Sequence, residues 1–521
     1  MSHHPHKRLL LKRTLQVSSS TLLSRVLGFA REMLQVRYLG VGAAADAFLA
    51  AFRIPNSLRK IFAEGALSAA FVPTIVGITK NQGQLAASKL MSRVFWLVEL
   101  CIIVLCIACA LNAEAVIHFV VPGFSAEQTA HAIPFFRILI FFIFFISASA
   151  LISGALQAVN NFFIPAFGQV ILNGVLIGGL VLCLYFKLHI IAYAWIIIFG
   201  GGVQAFLSLY AYFKNGFVFT RSDDVAKAHT RTVLRKFLPC VVSASVVEAS
   251  LFIDLQCASY LKTGSIALFT YANNFMRMPY SVFVLAFTTI TLSYFSRVGA
   301  YAPKRLSYFL FEAIKFFFWA LLPVIFLISF FAEDIFKTLY LSDNFSYDHV
   351  LQAKDILIIL IQGLFFHSVN KILLNMFYAL HETFIPSIVA IVGTVLNTVL
   401  NFILMRHFEL AGIAYATNIA LVVQTCLLVL ILYKKFHFKL YFRQFGKFAV
   451  RVLIQHIVIG SCLMGLLYGI KKILMHYHGH WTYFFIDSLG LWLWVGPLCG
   501  IAALVVWYTR HWFKVNIYFL D

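Results

Sequence analysis

The sequence predicts an all-α polytopic membrane protein of about fourteen transmembrane helices: two six-helix lobes related by a parallel repeat, followed by two C-terminal helices. Three observations predict this. Of 521 residues, 61% are apolar and 12% charged, against about 25% charged in a soluble globular chain. Basic residues crowd into alternate loops. A pair of short motifs recurs at nearly constant separation.

The apolar stretches come first. Runs near 20 residues long, each enough to cross about 30 Å of hydrocarbon as a helix, fall near 15–39, 45–75, 92–112, 132–158, 163–186, 190–213, 236–261, 265–296, 309–332, 351–379, 385–405, 411–433, 450–470 and 487–509. No alternation of the kind a barrel needs is present, so the spans are helical. No cleavable signal peptide is evident, and the first apolar run reads as a retained span.

Charge then orients the chain. The formal charge is +21, which in a soluble protein would suggest nucleic acid. Here the Lys and Arg in the loops and at the span ends divide into twenty-four on one face and eight on the other. The positive-inside rule therefore places both termini in the cytoplasm and leaves no call for a nucleic-acid partner. All nine cysteines lie in or beside apolar spans, and "CIAC" at Cys106 to Cys109 reads as lipid-compatible packing rather than a redox pair.

The repeat sets the architecture. "QAVNNFFIP" (Gln157 to Pro165) resembles "YALHETFIP" (Tyr378 to Pro386), and "FRIPNSL" (Phe52 to Leu58) resembles "MRMPYSV" (Met276 to Val282), at offsets of 221 and 224 residues. The expected organisation is an N-lobe over 1–213, a basic cytoplasmic linker over 214–235, a C-lobe over 236–433 and the last two helices over 434–521. Six helices per unit give both halves one orientation, an arrangement in which transporters bind substrate between the halves. A duplication kept only for packing would not explain the charges within the spans.

Those charges carry the functional reading. Arg25 and Arg31 lie in the first span, and Asp46, Arg53, Arg59, Lys60 and Glu64 in or near the second. One Arg at the bilayer centre costs about 2.5–3.5 kcal/mol on the insertion scale, so such groups face a cavity or a partner. Asp46, Arg53 and Lys60 are seven apart, which returns to nearly the same helix face, although Pro55 interrupts the hydrogen-bond ladder between them. Any single Arg near a helix end has the alternative of snorkelling to headgroups. Five cations against two carboxylates, taken together, suit an anion such as a pyrophosphate, which Arg grips through its planar fork.

In the second half Arg277 and Lys371 are the basic candidates at depth, with Glu248 and Asp254 as acids on the seventh span. Asp254, Asn397, Asn401 and Thr417 supply oxygen ligands of the type a hard cation takes; the amides equally suit hydrogen bonds between helices. There is no P-loop, nucleotide fingerprint, zinc-protease motif or soluble domain able to hydrolyse ATP, and no set of residues for catalysis. An ion gradient, the membrane potential or the substrate gradient has to drive transport, and no enzyme activity is expected.

"SRVLGFARE" (Ser24 to Glu32) and "DAFLAAFRIPNSLRKIFAEGALSAAFVP" (Asp46 to Pro73) closely resemble the signature opening of the MurJ (MviN) family of lipid II flippases, in the multidrug/oligosaccharidyl-lipid/polysaccharide exporter superfamily. The resemblance runs along essentially the whole chain. It implies a protein of the bacterial inner membrane that flips the undecaprenyl-pyrophosphate-linked peptidoglycan precursor to the outer leaflet by alternating access, in a step essential to cell-wall synthesis. By the same resemblance Arg25, Arg31 and Arg59 match functional cavity arginines, Asp46 a functional aspartate, and Arg53 and Lys60 neighbouring basic positions. Membrane lipid and other cell-wall synthesis or division proteins are the further partners it suggests.

One stretch departs from the family pattern. Members often carry "ADR" in the eighth span, where this chain reads "YANNFMRMPYS": Asn273 and Asn274 replace the charged pair and Arg277 follows one turn later. The resemblance also implies a sodium site from Asp254, Asn397, Asn401 and Thr417, with no other cofactor, and a groove for the prenyl tail at the last two helices. Rival readings are an exporter of another polyprenyl-linked glycan, a cation-coupled drug exporter, and a scaffold with cytoplasmic partners.

Overall fold

The computed structural model describes residues 4–60, 67–221, 223–301, 305–476, 484–485 and 488–520; Glu64 lies outside the described residues. Helices account for nearly all of them. By internal contacts the chain divides into Met1–Ala267 and Leu268–Asp521.

The first unit holds α1 (His4–Leu39), α2 (Ala43–Arg59), α3 (Leu67–Gln82), α4 (Gln84–Leu111), α5 (Ala113–Val120), α6 (Ala126–Leu139), α7 (Phe142–Ala158), α8 (Phe163–Tyr185), α9 (Ile191–Lys214) and α10 (Asp224–Ser259). Helix α1 packs on α8, α8 on α9, α7 on α3 and α9, and α2 on α6. Lipid is as apolar as these side chains, so close backbone approach rather than hydrophobic exclusion joins such helices. A Cβ on Gly179 of α8 would come within 2.3 Å of Ile196 on α9, so only glycine permits that spacing. Phe71, Leu90, Met91, Leu151 and Tyr212 build a core under α3, α4, α7 and α9.

Helix starts follow from their capping residues. Ser125 and Gln128 form a reciprocal capping box at α6, with Ser125 Oγ accepting Gln128 N–H at 3.3 Å and Gln128 Oε1 accepting Ser125 N–H at 3.0 Å. Asp223 caps α10 by accepting Ala226 N–H at 2.8 Å. The expected linker 214–235 is thereby shorter than its composition suggests, because 224–235 form the opening turns of α10. The stretch before it is laced to α4, where Thr220 N–H donates to Ser92 Oγ at 2.9 Å and Lys89 meets Asp223 at 3.0 Å. Repetition in sequence puts a boundary ahead of α10, whereas packing groups α10 with α3, α4 and α5.

From Leu268 onward the second unit holds most of α11 (Ser265–Pro279), then α12 (Leu285–Tyr301), α13 (Leu306–Phe330), α14 (Ala332–Tyr340), α15 (Tyr347–Gln362), α16 (Leu364–Ala379), α17 (Phe384–Phe436), α18 (Phe442–His476) and α19 (Leu491–Thr509). Between α11 and α12 the chain makes a π-helical turn over Tyr280–Val284. Pro279 has no N–H to donate, and the hydrogen-bond ladder slips by one residue there. Helix α16 packs on α12, α13 and α17, and α18 pairs with α19. The segment after α19 folds back: Val515 and Ile517 are fully buried with Trp319, Phe448 and Val452. Glu312 of α13 accepts Tyr518 N–H at 3.0 Å and Lys315 Nζ at 2.8 Å.

Among the described residues ten helical segments are long and apolar enough to cross a bilayer. The first and seventh expected spans correspond to α1 and α10, helices of 36 residues with charges along them. The second takes in α2 and α3, with 61–66 outside the described residues. The eleventh and twelfth are the two arms of α17, two helices that meet at a kink at Glu409, whose φ of 48° and ψ of −127° are not helical. Gly412 beside this joint could not carry a Cβ, which would lie 2.4 Å from the Leu404 carbonyl oxygen. All nine cysteines are free thiols, and Cys106 donates to the Ile140 carbonyl at 3.3 Å.

Candidate functional site

Arg53, Ser57 and Lys60 sit at i, i+4 and i+7, so α2 and its C-cap present them on one face. All three converge on one carboxylate, Glu248 of α10. Ser57 Oγ donates to Oε2 at 2.7 Å, Lys60 Nζ to Oε1 at 3.1 Å, and Arg53 Nη2 lies 3.6 Å from Oε2. The Glu248 side chain is 11% exposed, so the pairing is largely desolvated and stronger than a surface ion pair.

Arg59 and Arg31 each have a neutral acceptor among their partners. Arg59 donates twice to Asn56 Oδ1, from Nε at 3.2 Å and Nη2 at 3.0 Å. Arg31 Nη1 donates to Asn173 Oδ1 at 3.3 Å, and Arg31 Nε is buried with no hydrogen bond among the described residues. Asn173 is itself fixed, its Nδ2 donating to the Ser24 carbonyl at 3.1 Å. Arg25 is exposed on α1. A neutral acceptor orients a guanidinium without itself cancelling the charge.

Asp46 is placed differently from the cations with which it shares α2. It lies about 21 Å along the helix from Lys60 at 1.5 Å per residue, and is 1% exposed. Its carboxylate accepts Gly264 N–H at 2.6 Å, Ala267 N–H at 2.8 Å and Gln128 Nε2 at 3.2 Å. Two of these donors belong to the start of α11, where backbone N–H groups lack intrahelical partners and a carboxylate is favoured. Asp46 therefore ties α2 to α6 and α11.

Of the sites expected in the second half, Arg277 occupies the last turn of α11 before the π-turn, where its charge acts on Tyr280 and His367. Asn397, Asn401 and Thr417 come together on the two arms of α17. Asn401 Nδ2 donates to Asn397 Oδ1 at 3.3 Å, Asn397 Nδ2 to Thr417 Oγ1 at 3.4 Å, and Thr417 Oγ1 to the Ile413 carbonyl at 3.0 Å. A cation would have to break this chain of bonds to take Asn397 Oδ1 and Thr417 Oγ1 as ligands. Asp254 is buried on α10 of the first unit. Among the described residues no cluster of three or more His, Cys, Asp or Glu is placed to hold a metal.

The partners Asn56 and Asn173 are additions to the residues read from sequence. The i, i+3 spacing of Asn56 and Arg59 is a signal for the first. Asn173, 142 residues from Arg31, carries only the weak signal of an amide within an apolar run.

The Lipid II flippase MurJ family model matches residues 35–488. The chain belongs to the MurJ lipid II flippase family. A lipid II flippase MurJ of Burkholderia cenocepacia is 31% identical over 434 residues, covering 82% of this chain and 84% of that protein. A probable lipid II flippase MurJ of Buchnera aphidicola is 29% identical over the same length and shares. The solved structure of a lipid II flippase MurJ in an inward closed conformation superposes with a TM-score of 0.76 at 25% identity, covering 96% of this chain and 99% of that one. An inward-facing multidrug resistance MATE family transporter of the MOP superfamily shares the fold, with a TM-score of 0.69 at 17% identity over 77% of this chain and 92% of its own. MurJ is a family of transporters rather than enzymes, and this member is a polytopic membrane protein built on the fold it shares with MATE transporters.

Proposed function

We propose that this chain flips lipid II, the lipid-linked peptidoglycan precursor, from the cytoplasmic to the outer leaflet of the bacterial inner membrane, a step essential to cell-wall synthesis. Membership of the MurJ family is the observation that carries the reading. The intramembrane cations of α1 and α2 supply the chemistry: Arg25, Arg31, Arg53, Arg59 and Lys60 form the cationic lining that neutralises the pyrophosphate while the headgroup crosses. The prenyl tail stays in lipid, along the groove offered by α18 and α19.

In this reading both termini face the cytoplasm, and the six-helix lobes, 1–213 and 236–433, alternate access around the headgroup. Release outward requires that the outward-open state bind the pyrophosphate more weakly than the inward-open one, because a ligand held equally in both shifts nothing. Asp46 holds the α2–α6–α11 junction that closes one end of this cycle, and Arg277 brings a cation from α11. The membrane potential drives the cycle. Na+ at Asp254, Asn397, Asn401 and Thr417 is the less favoured driver, since the oxygens of Asn397 and Thr417 already accept hydrogen bonds.

The test is complementation in cells depleted of their own lipid II flippase, with outer-leaflet lipid II read directly and Arg25→Ala as control. Exposure restored by the wild-type chain and lost in the variant is expected. An inserted wild-type chain that restores nothing overturns the substrate assignment. Flipping that persists with choline in place of sodium and slows when the potential is collapsed supports the proposed driving force; strict sodium dependence overturns it.

A further inference from the structure

Glu248 is an acid whose three partners are all side chains an anionic substrate would want. The donors it occupies, the Ser57 hydroxyl, the Lys60 ammonium and the Arg53 guanidinium, are those a phosphate oxygen accepts from best. They come from one helix, and the carboxylate comes from another. Among the described residues α10 packs most heavily on α3 and α4; Ser57, Lys60 and Arg53 join it to α2 through Glu248. Beside them lies a cleft of about 340 Å³, lined by Ile54, Leu58, Val116, Phe119 and Phe252, in which apolar packing does not zip α2 to α10.

We propose that Glu248 is an internal stand-in for the substrate's diphosphate: its carboxylate holds Arg53, Ser57 and Lys60 in the resting protein, and the incoming diphosphate displaces it. The inference rests on the proposed function and adds a positioning residue to it. Its physical basis is charge balance in a low dielectric. Unbalanced positive charge in a desolvated site is costly, so an internal carboxylate beside Arg53 and Lys60 helps keep the empty site stable. A diphosphate carries more charge and more acceptor oxygens than one carboxylate and so outcompetes it. The exchange unties α10 from α2, coupling occupancy to helix movement. On release Glu248 returns to the cations and helps expel the lipid, since the departing anion has a competitor already in place.

This role makes a prediction opposite to that of a simple structural salt bridge. Removing the carboxylate should tighten binding and slow turnover, a split between affinity and rate that mere destabilisation does not produce. Undecaprenyl diphosphate would be titrated into purified full-length wild type, Glu248→Gln and Glu248→Asp in nanodiscs, alongside lipid II flipping in liposomes. Glu248→Gln is expected to bind the lipid about tenfold more tightly, within the usual range of coupling between sites, and to flip it more slowly. Glu248→Asp should restore both values toward wild type. Spin labels at Leu58 and Ala249 should report α2 moving from α10 when wild type takes up the lipid, and already apart in Glu248→Gln.

Unchanged or weaker binding by Glu248→Gln, in protein that melts as wild type does, overturns the exchange. Wild type that binds no undecaprenyl diphosphate overturns the functional reading first, and the exchange with it. Wild type that binds while the α2–α10 distance stays fixed overturns the coupling to helix movement.

Discussion

Asn173 Oδ1 accepts a hydrogen bond from the Arg31 guanidinium at 3.3 Å while Asn173 Nδ2 donates to the Ser24 carbonyl. One amide on α8 thus sets the direction of a cation on α1 and anchors the backbone about two turns before it. Asn173→Ala should lower flipping without preventing insertion, and by less than Arg31→Ala, because the charge remains while its aim is lost. Comparison of the two variants at matched membrane abundance checks this; equal flipping by Asn173→Ala and wild type would remove Asn173 from the site.

Arg59 is held by Asn56 on the same helix, one turn away. Asn56→Ala is expected to raise the half-saturating lipid concentration severalfold, corresponding to about 1 kcal/mol for the lost orientation, with the maximal rate nearly intact. Arg59→Ala should abolish flipping. A fall in maximal rate alone for Asn56→Ala would count against an orienting role.

Asp46→Asn tests the junction. The carboxylate accepts three hydrogen bonds, and an amide offers one acceptor oxygen and turns an NH2 group toward the donors. The substitution should cost about 1.5–3 kcal/mol of stability, as for hydrogen bonds to a charged group, and should impair flipping. Thermal unfolding in detergent, followed beside transport, checks both. An unchanged melting temperature would contradict the geometry.

The pH dependence of stability has a readable contributor outside the spans. The Ala226 N–H first, and Lys89 with it, hold the Asp223 carboxyl below its ordinary value. A carboxyl lowered on folding stabilises fully above its unfolded value of about 3.9 and loses that contribution as pH falls through the lower folded value. The stability difference between wild type and Asp223→Asn should be flat above about pH 5 and shrink below about pH 4. A difference that grows on acidification would reverse the assigned sign.

At the joint of α17, Gly412→Ala would drive a methyl against the Leu404 carbonyl and should destabilise by about 1–3 kcal/mol, the usual cost of overpacking. Gly460→Ala on α18, where nothing lies within 4 Å, is the control and should melt as wild type does.

Much of this fold is visible in residue order because lipid rewards long apolar runs, and such runs at α4, α8, α9, α13 and α19 survive as single helices. What escapes sequence reading is polar and local. "DVAKAHTRTVLRK" has no apolar stripe to separate a cytoplasmic helical extension from a loop, yet Asp223 caps it and it continues into α10. "MRHFEL" reads as a loop between two spans, and the chain does break there, but in a kink confined to Glu409. At the site, Arg25, Arg31, Arg53 and Arg59 announce themselves by the cost of burying charge. Their pairings do not: Glu248 is legible as an acid of the seventh span, but only the folded chain shows that it meets Lys60, 188 residues away, and that Asn173 meets Arg31, 142 residues away.

The bond between Asp46 and Gly264 also bears on how the protein is made. Its partners are 218 residues apart, which at about 5–20 residues per second is roughly 10–40 s of translation. Throughout that interval α2 has left the ribosome with a carboxylate whose backbone donors do not yet exist; of its three partners only the Gln128 side chain arrives earlier. The nascent segment must keep this end in water or at the headgroup layer, and its final seat is taken only when the start of α11 follows. Biogenesis of the first unit is therefore completed late, by a residue from its far end, and a chain arrested before residue 264 would leave Asp46 without either of its backbone donors.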